Sequence, residues 1–491
     1  MKALLITTFS LIFGLTAHSA IVSDYSGASY SPYSIRYTDN SQIKGFGDYN
    51  VGDITGDLQF MQTNGITRIK TYDAGLTQVQ PFSQIQAYIT NFNAINSNPA
   101  GASSNIQTMN DPFAIGGGAI TGNKWIMSQA AVAGLDVYQG TNVSSGMLSV
   151  PTGTQTNQTV TLLNSDGTTT RNVNVTPNSY SYTDFSGATK NVTYTMAHWD
   201  IELALMNIAN GKIQIQQPAS SGGNYTATPL GGLNTANAKA LIIGNEVLST
   251  GGLTAPEVAQ YMAFAKARRT DYGLTEADLP ITSSTNSPGN WQGDMATDVL
   301  PYVDGVLFYN TYGFPFSGGE ASSGPGVTPE NGIENVVMTQ TDFAAWLATN
   351  APTVTAILGE HGWPSDSLDN GDNSFNITNE KEYFLGDGST YEGALKQLAA
   401  MGLTNFLFEM FDEPWKNSGN IGSSENHFGI ATATQQAMRE NPATDPSQYP
   451  EVRTMKFTGL SDELGSAIPE PRYYAMMLGA VVLVICWRRR K

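Results

Sequence analysis

Ala356-Ile357-Leu358-Gly359-Glu360-His361-Gly362-Trp363-Pro364-Ser365 decides the fold of this 491-residue chain. An apolar run that reads as a buried strand ends on a single carboxylate and is then broken by Gly, Trp and Pro. A carboxylate at the tip of a buried strand is costly to ionise unless donors or charges face it, so such a placement suggests a chemical role. The design recurs twice. Leu241-Ile242-Ile243-Gly244-Asn245-Glu246-Val247 runs apolar into a carboxylate, and so does Phe406-Leu407-Phe408-Glu409-Met410-Phe411-Asp412-Glu413-Pro414-Trp415-Lys416.

Outward from these three, five more short apolar segments read as strands: 27–33, 66–72, 135–138, 279–283 and 303–309. With 240–247, 354–359 and 405–410 they make eight. Helical patterns lie between them, around Leu58-Gln59-Phe60-Met61 with Asn64-Gly65 as its stop, over 124–133, and over 256–269. Strands alternating with helices argue for βαβ units and a parallel sheet. Eight units over residues 21–440 predict one closed (β/α)₈ TIM barrel. In that fold the sites are built at the C-terminal strand ends. Glu246, Glu360 and Glu413 then converge on one mouth.

Three insertions interrupt the units, over about 75–123, 142–194 and 216–236. In the second, Thr159–Leu163 and Thr170–Val175 flank Ser165-Asp166-Gly167, and Tyr180–Thr183 and Val192–Thr195 flank Ser186-Gly187. Alternation around such turns predicts two hairpins. Leaving from a strand end, they are expected on the mouth side of the barrel. The third insertion is Gly- and Ser-rich and reads as loop, and 441–467 reads as a linker.

Both ends read as processing signals. Residues 1–20 have one Lys, an apolar middle and the small-residue end Ala17-His18-Ser19-Ala20, as a secretory signal peptide does. At the other end come Ile468-Pro469-Glu470-Pro471, an apolar run over 473–487, and Arg488-Arg489-Arg490-Lys491. Fifteen helical residues at ~1.5 Å each reach roughly 22 Å, short of a ~30 Å bilayer core. This tail over 468–491 resembles the bacterial PEP-CTERM sorting signal. The resemblance implies transient membrane insertion, a sorting protease as partner, and an exported protein released to the surface or medium.

The formal net charge is −18, and it becomes more negative once the basic ends are set aside. Such a surface repels nucleic acid and anionic membrane and leaves neutral polymers as partners. The single cysteine, Cys486, lies in the tail, so an exported body folds without disulfides. His198, His361 and His427 have no ligand spacing, so no zinc site is expected. The acidic stretch Asp366, Asp369, Asn370, Asp372 and Asn373 does not match an EF-hand and reads as a solvated loop. No metal or cofactor is implied.

Two carboxylates across a cleft are what glycosidic cleavage needs, one to protonate the leaving oxygen and one to attack or activate water. Aromatic side chains at strand ends supply flat faces for sugar rings: Tyr30, Tyr33, Tyr72, Tyr309, Tyr312, Phe314, Trp363 and Trp415. Gly244-Asn245-Glu246-Val247, Glu360-His361-Gly362-Trp363-Pro364-Ser365 and Phe408–Lys416 together resemble glycoside hydrolase family 17. Tyr30-Ser31-Pro32-Tyr33 and Glu425-Asn426-His427-Phe428-Gly429-Ile430 add to that resemblance. It implies a retaining enzyme acting on β-1,3-glucan, with Glu246 as general acid/base and Glu360 as nucleophile, their carboxyl groups about 5–5.5 Å apart. Asn245 would hold the sugar 2-hydroxyl, and Tyr312 would touch the nucleophile. Glu413, Lys416 and Glu425 would form a charged cluster along the cleft, with Glu413 and Lys416 able to pair. Tyr30, Tyr72 and Trp363 would face substrate.

The match departs from the family in two respects: the insertions are much longer than in compact members, and the second strand differs. Lys70-Thr71-Tyr72 stands where an Arg more often precedes the Tyr, and Arg68 is the candidate substitute. Two rival readings follow from the same residues: a β-1,3-glucanosyltransferase that remodels matrix polysaccharide, and a non-catalytic exopolysaccharide-binding protein.

Overall fold

A computed structural model describes residues 22–31, 36–37, 43–44, 51–110, 120–218, 223–317, 320–324, 326–368, 374–413, 416, 423–435 and 451–465. The leader, the tail over 468–491, Tyr33, Trp415 and most of the acidic loop after Ser367 lie outside the described residues. Among the described residues no helix is long and apolar enough to cross a membrane.

Eight strands close a barrel: β1 (Ser26–Ser29), β2 (Arg68–Lys70), β3 (Asp136–Thr141), β4 (Ala238–Ile243), β5 (Ile281–Thr285), β6 (Val306–Asn310), β7 (Thr355–His361) and β8 (Asn405–Leu407). Each pairs in parallel with its sequence neighbours, and β1 pairs with both β2 and β8, which closes the ring. This is the (β/α)₈ barrel that the strand–helix alternation predicts. All eight expected strands are present, with ends shifted by a few residues. The first and the fourth each end four residues early, at Ser29 and Ile243, so Glu246 sits in the turn beyond its strand.

The helices packed around the ring include α1 (Val51–Thr63), α2 (Phe82–Ser97), α3 (Ile126–Ala133), α4 (Met196–Ile208), α5 (Ala255–Asp271), α6 (Pro329–Asn350), α7 (Ile377–Leu385) and α8 (Ala394–Ala400). Inside the ring, Ala240, Ile242, Phe308, Ile357 and Phe406 form a separate small core against Tyr138 and Val306. Tyr138 meets Phe406 edge-on at 5.1 Å between centroids. This apolar plug fills the barrel interior, so the barrel's own pocket opens at the C-terminal strand ends.

The first inserted hairpin forms as the turn chemistry predicts, Gln158–Leu163 pairing with Thr170–Val175. In the second, Tyr180–Thr183 pairs with Thr189–Val192 rather than with the expected 192–195, because the turn closes over Asp184–Ala188. Their position differs from the expectation. They do not crown the mouth but run down the outer flank. Asn93 and Asn96 of α2 donate to the carbonyls of Thr159 and Thr161, which satisfies one hairpin edge. The turn reaches the opposite face, where Ser165 accepts from the Gly232 amide and Asn210, just after α4, accepts from Leu163. Phe185 stacks on Tyr302 at 3.9 Å. The apolar faces of these hairpins find their partners on the outer helices, which the departure point of the chain does not reveal.

Three further expectations are corrected. The segment read as a loop over 216–236 is half of a hairpin, Gly211–Gln216 against Thr226–Leu233. The stretch 75–123 supplies helix α2, whose Ile85, Tyr88, Ile89 and Phe92 are buried. The barrel body also does not end at residue 440. Glu451–Met455 pairs with Ala431–Gln435 and a helix follows over Leu460–Gly465. Arg453 of that strand ion-pairs with buried Asp57 at 2.5 Å. Lys456 reaches Asp412 at 2.7 Å and donates to the Ser365 hydroxyl.

Candidate active site

One large cleft of about 1080 Å³ opens at the C-terminal ends of the strands, and Glu246, Glu360, Glu413, Lys416 and Glu425 all line it. Its volume lies just above the ~300–1,000 Å³ range usual for small-molecule sites, which suits an extended ligand.

Glu360 is the penultimate residue of β7 and is 3% exposed. Strand alternation sends Glu360 into the cleft and His361 outward, where its ring nitrogens meet Tyr383 and Asn405 at 3.2 and 3.1 Å. Burial pushes His361 down to about 4, so it stays neutral. Gly362 completes the motif for a steric reason: a Cβ there would stand 2.2 Å from the Phe408 carbonyl, so β7 and β8 could not close together.

Three donors converge on the Glu360 carboxylate. Lys70 Nζ lies 2.8 Å from Oε1, Asn245 Nδ2 3.2 Å from the same oxygen, and the Tyr312 hydroxyl 2.9 Å from Oε2. Lys70 also donates to Asn245 Oδ1 at 3.0 Å. The cation is therefore Lys70 itself and not Arg68, which sits lower in β2, opposite Asp136 in register. Lys70 lies 4.7 Å from the centroid of Tyr72, which lines the cleft as expected.

Glu246 has different company. It follows Gly244 and Asn245 in the turn after β4, and its φ of 47° is the left-handed region, a strain of roughly 1–3 kcal/mol for a residue with a Cβ. Gly244, at φ 70°, is required there, because a Cβ would meet Val247 at 2.4 Å. The Glu246 carboxylate accepts from Asn310 Nδ2 at 2.9 Å and from the Thr250 hydroxyl at 2.8 Å. Burial first, and then the charge of Glu360, hold its pKa above the ordinary range, against the pull of those two hydrogen bonds. The two carboxylates thus face one cleft in unlike surroundings, one beside a buried ammonium and the other held only by neutral donors.

A second charged group covers the β8 side. Lys416 ion-pairs with Glu413 and with Glu409, both at 2.9 Å, and lies 4.2 Å from the Phe408 ring centroid. Burial pulls the Lys416 ammonium down, and the two carboxylates more than offset it. Glu425 is raised by burial, with Lys416 opposing. Phe314, Phe316, Phe408 and Phe428 join Tyr312 as the aromatic wall.

Two expected site residues lie elsewhere. Trp363 is fully buried behind the cleft wall, its indole N–H donating to the Ser374 carbonyl between Phe314, Phe375 and Tyr383. Tyr30 is 1% exposed and its hydroxyl donates to Asp57 at 2.7 Å, so it belongs to the β1–α1 packing. Lys70, Asn310, Thr250 and Glu409 join the site without being expected there. Of these, Glu409 carries a signal as the first carboxylate of the third strand-end motif, and Lys70 carries one as the basic residue before Tyr72, where the sequence reading turns to Arg68 instead. Among the described residues, no group of three or more His, Cys, Asp or Glu side chains is arranged to hold a metal ion.

Residues 224–429 match the BtgE/BtgC glycoside hydrolase domain. That span holds Glu246, Glu360 and the β8 cluster. Over 203 residues, 40% of this chain, the sequence is 28% identical to a glucan 1,3-β-glucosidase of Arthroderma benhamiae, of which the match covers 58%. Over 207 residues it is 26% identical to a glucan endo-1,3-β-glucosidase btgC of Emericella nidulans, of which it covers 28%. The chain thus spans less than two thirds of the length of these relatives. Among solved structures, a family 17 β-1,3-glucanosyltransferase of Rhizomucor miehei aligns with TM-score 0.41 at 13% identity, over 84% of this chain and 96% of that one. An endo-laminarinase of Formosa Hel1_33_131 aligns with TM-score 0.45 at 14% identity, over 85% and 86%. At these values the barrel assignment rests on the strand pairing itself.

Proposed function

We propose that this chain is a retaining glycoside hydrolase acting on β-1,3-glucan by double displacement. One observation carries the reading: Glu246 and Glu360 face the same cleft from β4 and β7 in surroundings that divide acid from nucleophile. A carboxyl group that burial holds above its ordinary range keeps its proton for a leaving oxygen, which suits Glu246 as the acid. Glu360, beside Lys70 and under two further donors, attacks the anomeric carbon. The glycosidic bond breaks with its electron pair on the leaving oxygen, which takes the proton of Glu246. Glu246, now ionised, then removes a proton from water, whose oxygen displaces Glu360 and frees the sugar. Asn245 holds the sugar 2-hydroxyl, and the similarity to β-1,3-glucosidases supports the linkage.

The same proposal takes residues 1–20 as the export leader and 468–491 as a tail inserted transiently in the membrane and cut by a sorting protease. Intact mass of the protein recovered from cells and medium tests this part, and an uncut tail on the secreted form refutes it. The chemistry is tested by mass spectrometry of products from a β-1,3-gluco-oligosaccharide of defined length. Shorter products alone are expected. Products longer than the substrate would make the chain a glucanosyltransferase instead, and an unchanged substrate would sink the reading.

A further inference from the structure

The cleft has two unlike walls. The β6 and β8 side is aromatic and charged. The opposite side, built by the end of β3 and the loops after β2 and β3, sets the ring of Tyr72 beside Asp73, Thr77, Thr141, Asn142 and Ser144. Hydroxyl and amide groups dominate it, which suits the rim of hydroxyls around a sugar ring, while the aromatic wall suits the ring faces.

Both loops of the polar wall hang on one side chain. Asp200, fully buried in the second turn of α4, accepts from the backbone amides of Ala74 at 3.1 Å, Leu76 at 2.9 Å and Asn142 at 2.7 Å. The first two belong to the β2 loop and the third to the β3 loop. Asn142 adds a cross-link by donating from Nδ2 to the Leu76 carbonyl at 3.2 Å. Asp73 is tied in the same way, accepting from the Gly75 amide and Asn123 Nδ2. An ionised carboxylate is an acceptor only and can satisfy three or four N–H groups, whereas no neutral side chain of this size offers the same set. Asp200 precedes the matched span 224–429, so it lies in a part of the chain that the domain match does not reach.

We propose that Asp200 is a positioning residue that sets the sugar-gripping wall of the cleft, and so governs how tightly the chain is held along it, while leaving the bond-cleaving step to Glu246 and Glu360. The proposal rests on the reading of the cleft as a glucan site. The test uses the full chain in a Glu360→Gln background, where binding is read without turnover. Calorimetry with β-1,3-gluco-oligosaccharides of three to seven units should show Asp200→Asn weakening binding about tenfold. In the active chain the same substitution should raise KM about tenfold and leave kcat within about threefold, with the alkaline limb of kcat unmoved. Asn142→Ala should give a similar loss, and the double variant should be no worse than the single ones, since neighbours acting through one wall are not additive. Additive losses, or kcat falling with KM unchanged, would overturn the proposal. If Asp200→Asn does not fold, Thr77→Ala with Asn142→Ala takes its place, and unchanged binding in that variant overturns it. Binding by Glu360→Gln alone, unaffected by Asp200→Asn, would remove this proposal and keep the glucan reading. No binding by Glu360→Gln and no turnover by the unaltered chain would remove both.

Discussion

Removing the hydrogen bonds that Asn310 and Thr250 give to Glu246 should move the alkaline limb of the pH–rate profile upward, by amounts the structure ranks. Both groups donate to the carboxylate, so both favour its ionised form and hold down a pKa that burial and Glu360 raise. The proposed acid works protonated, so its deprotonation sets the alkaline limb. Losing a donor raises the pKa further and keeps the acid protonated to higher pH. A hydrogen bond to a buried charged group contributes about 1.5–3 kcal/mol. At about 1.36 kcal/mol per pH unit, Asn310→Ala, at a fully buried position, should shift the limb by roughly 1–2 units. Thr250 is exposed, so water replaces most of its contribution, and Thr250→Val should give roughly 0.5 unit or less. The assay is kcat against pH on a soluble β-1,3-gluco-oligosaccharide, with melting temperatures as a check on folding. A limb that stays put or moves down, or a Thr250 shift larger than that of Asn310, would refute the assignment of Glu246 as the acid.

Glu360→Gln should abolish turnover while leaving the fold and glucan binding largely intact, and normal rates in that variant would mean the nucleophile lies elsewhere. Lys70→Met removes a charge-assisted hydrogen bond of about 1.5–3 kcal/mol and should slow turnover about 10- to 100-fold, whereas Lys70→Arg should keep most of the rate. Equal losses in both would show that the shape of Lys70 matters and its charge does not. Lys456→Met leaves Asp412 buried without its cation and should lower unfolding free energy by about 3–5 kcal/mol in a denaturant titration. A change under about 1 kcal/mol would mean that the strand over Glu451–Met455 does not brace the barrel.

How much of this was legible in the sequence depends on the kind of signal each residue left. Glu246 and Glu360 were readable because an apolar run ending on a carboxylate conflicts with burial, and the conflict marks both fold and site. Trp363 and Tyr30 sit at equally suggestive strand ends, yet an aromatic ring there can turn to the cleft or to the packing behind it. Only contacts decide, and for Trp363 they are Ser374, Phe375 and Tyr383. Lys70 and Arg68 share a strand face, and alternation does not say which layer reaches Glu360. Asn310 and Thr250 are ordinary polar residues whose roles come from the register of β6 and the turn after β4. The hairpin strand over Gly211–Gln216 did leave a trace, since Ile213 and Ile215 alternate with Lys212, Gln214 and Gln216 and are the more buried set. That alternation ends where the Gly- and Ser-rich stretch begins, and composition masked it.

The charges around the cleft bear on which glycans it accepts. Asp73, Glu246, Glu360, Glu413 and Glu425 line it, and among the described lining residues Lys416 is the one cation, already committed to Glu409 and Glu413. Lys70 lies beneath, committed to Glu360 and Asn245. On the proposed mechanism, so acidic a cleft would suit an oxocarbenium-like transition state with positive charge developing beside Glu360. The same field penalises a substrate that brings its own carboxylates into a partly dry site. Oxidising the primary hydroxyls of a β-1,3-gluco-oligosaccharide to carboxylates should therefore lower kcat/KM by at least about tenfold at low salt, and added salt should recover part of the loss. Equal rates on the neutral and oxidised chains would mean that the cleft carboxylates do not govern which glycans it accepts.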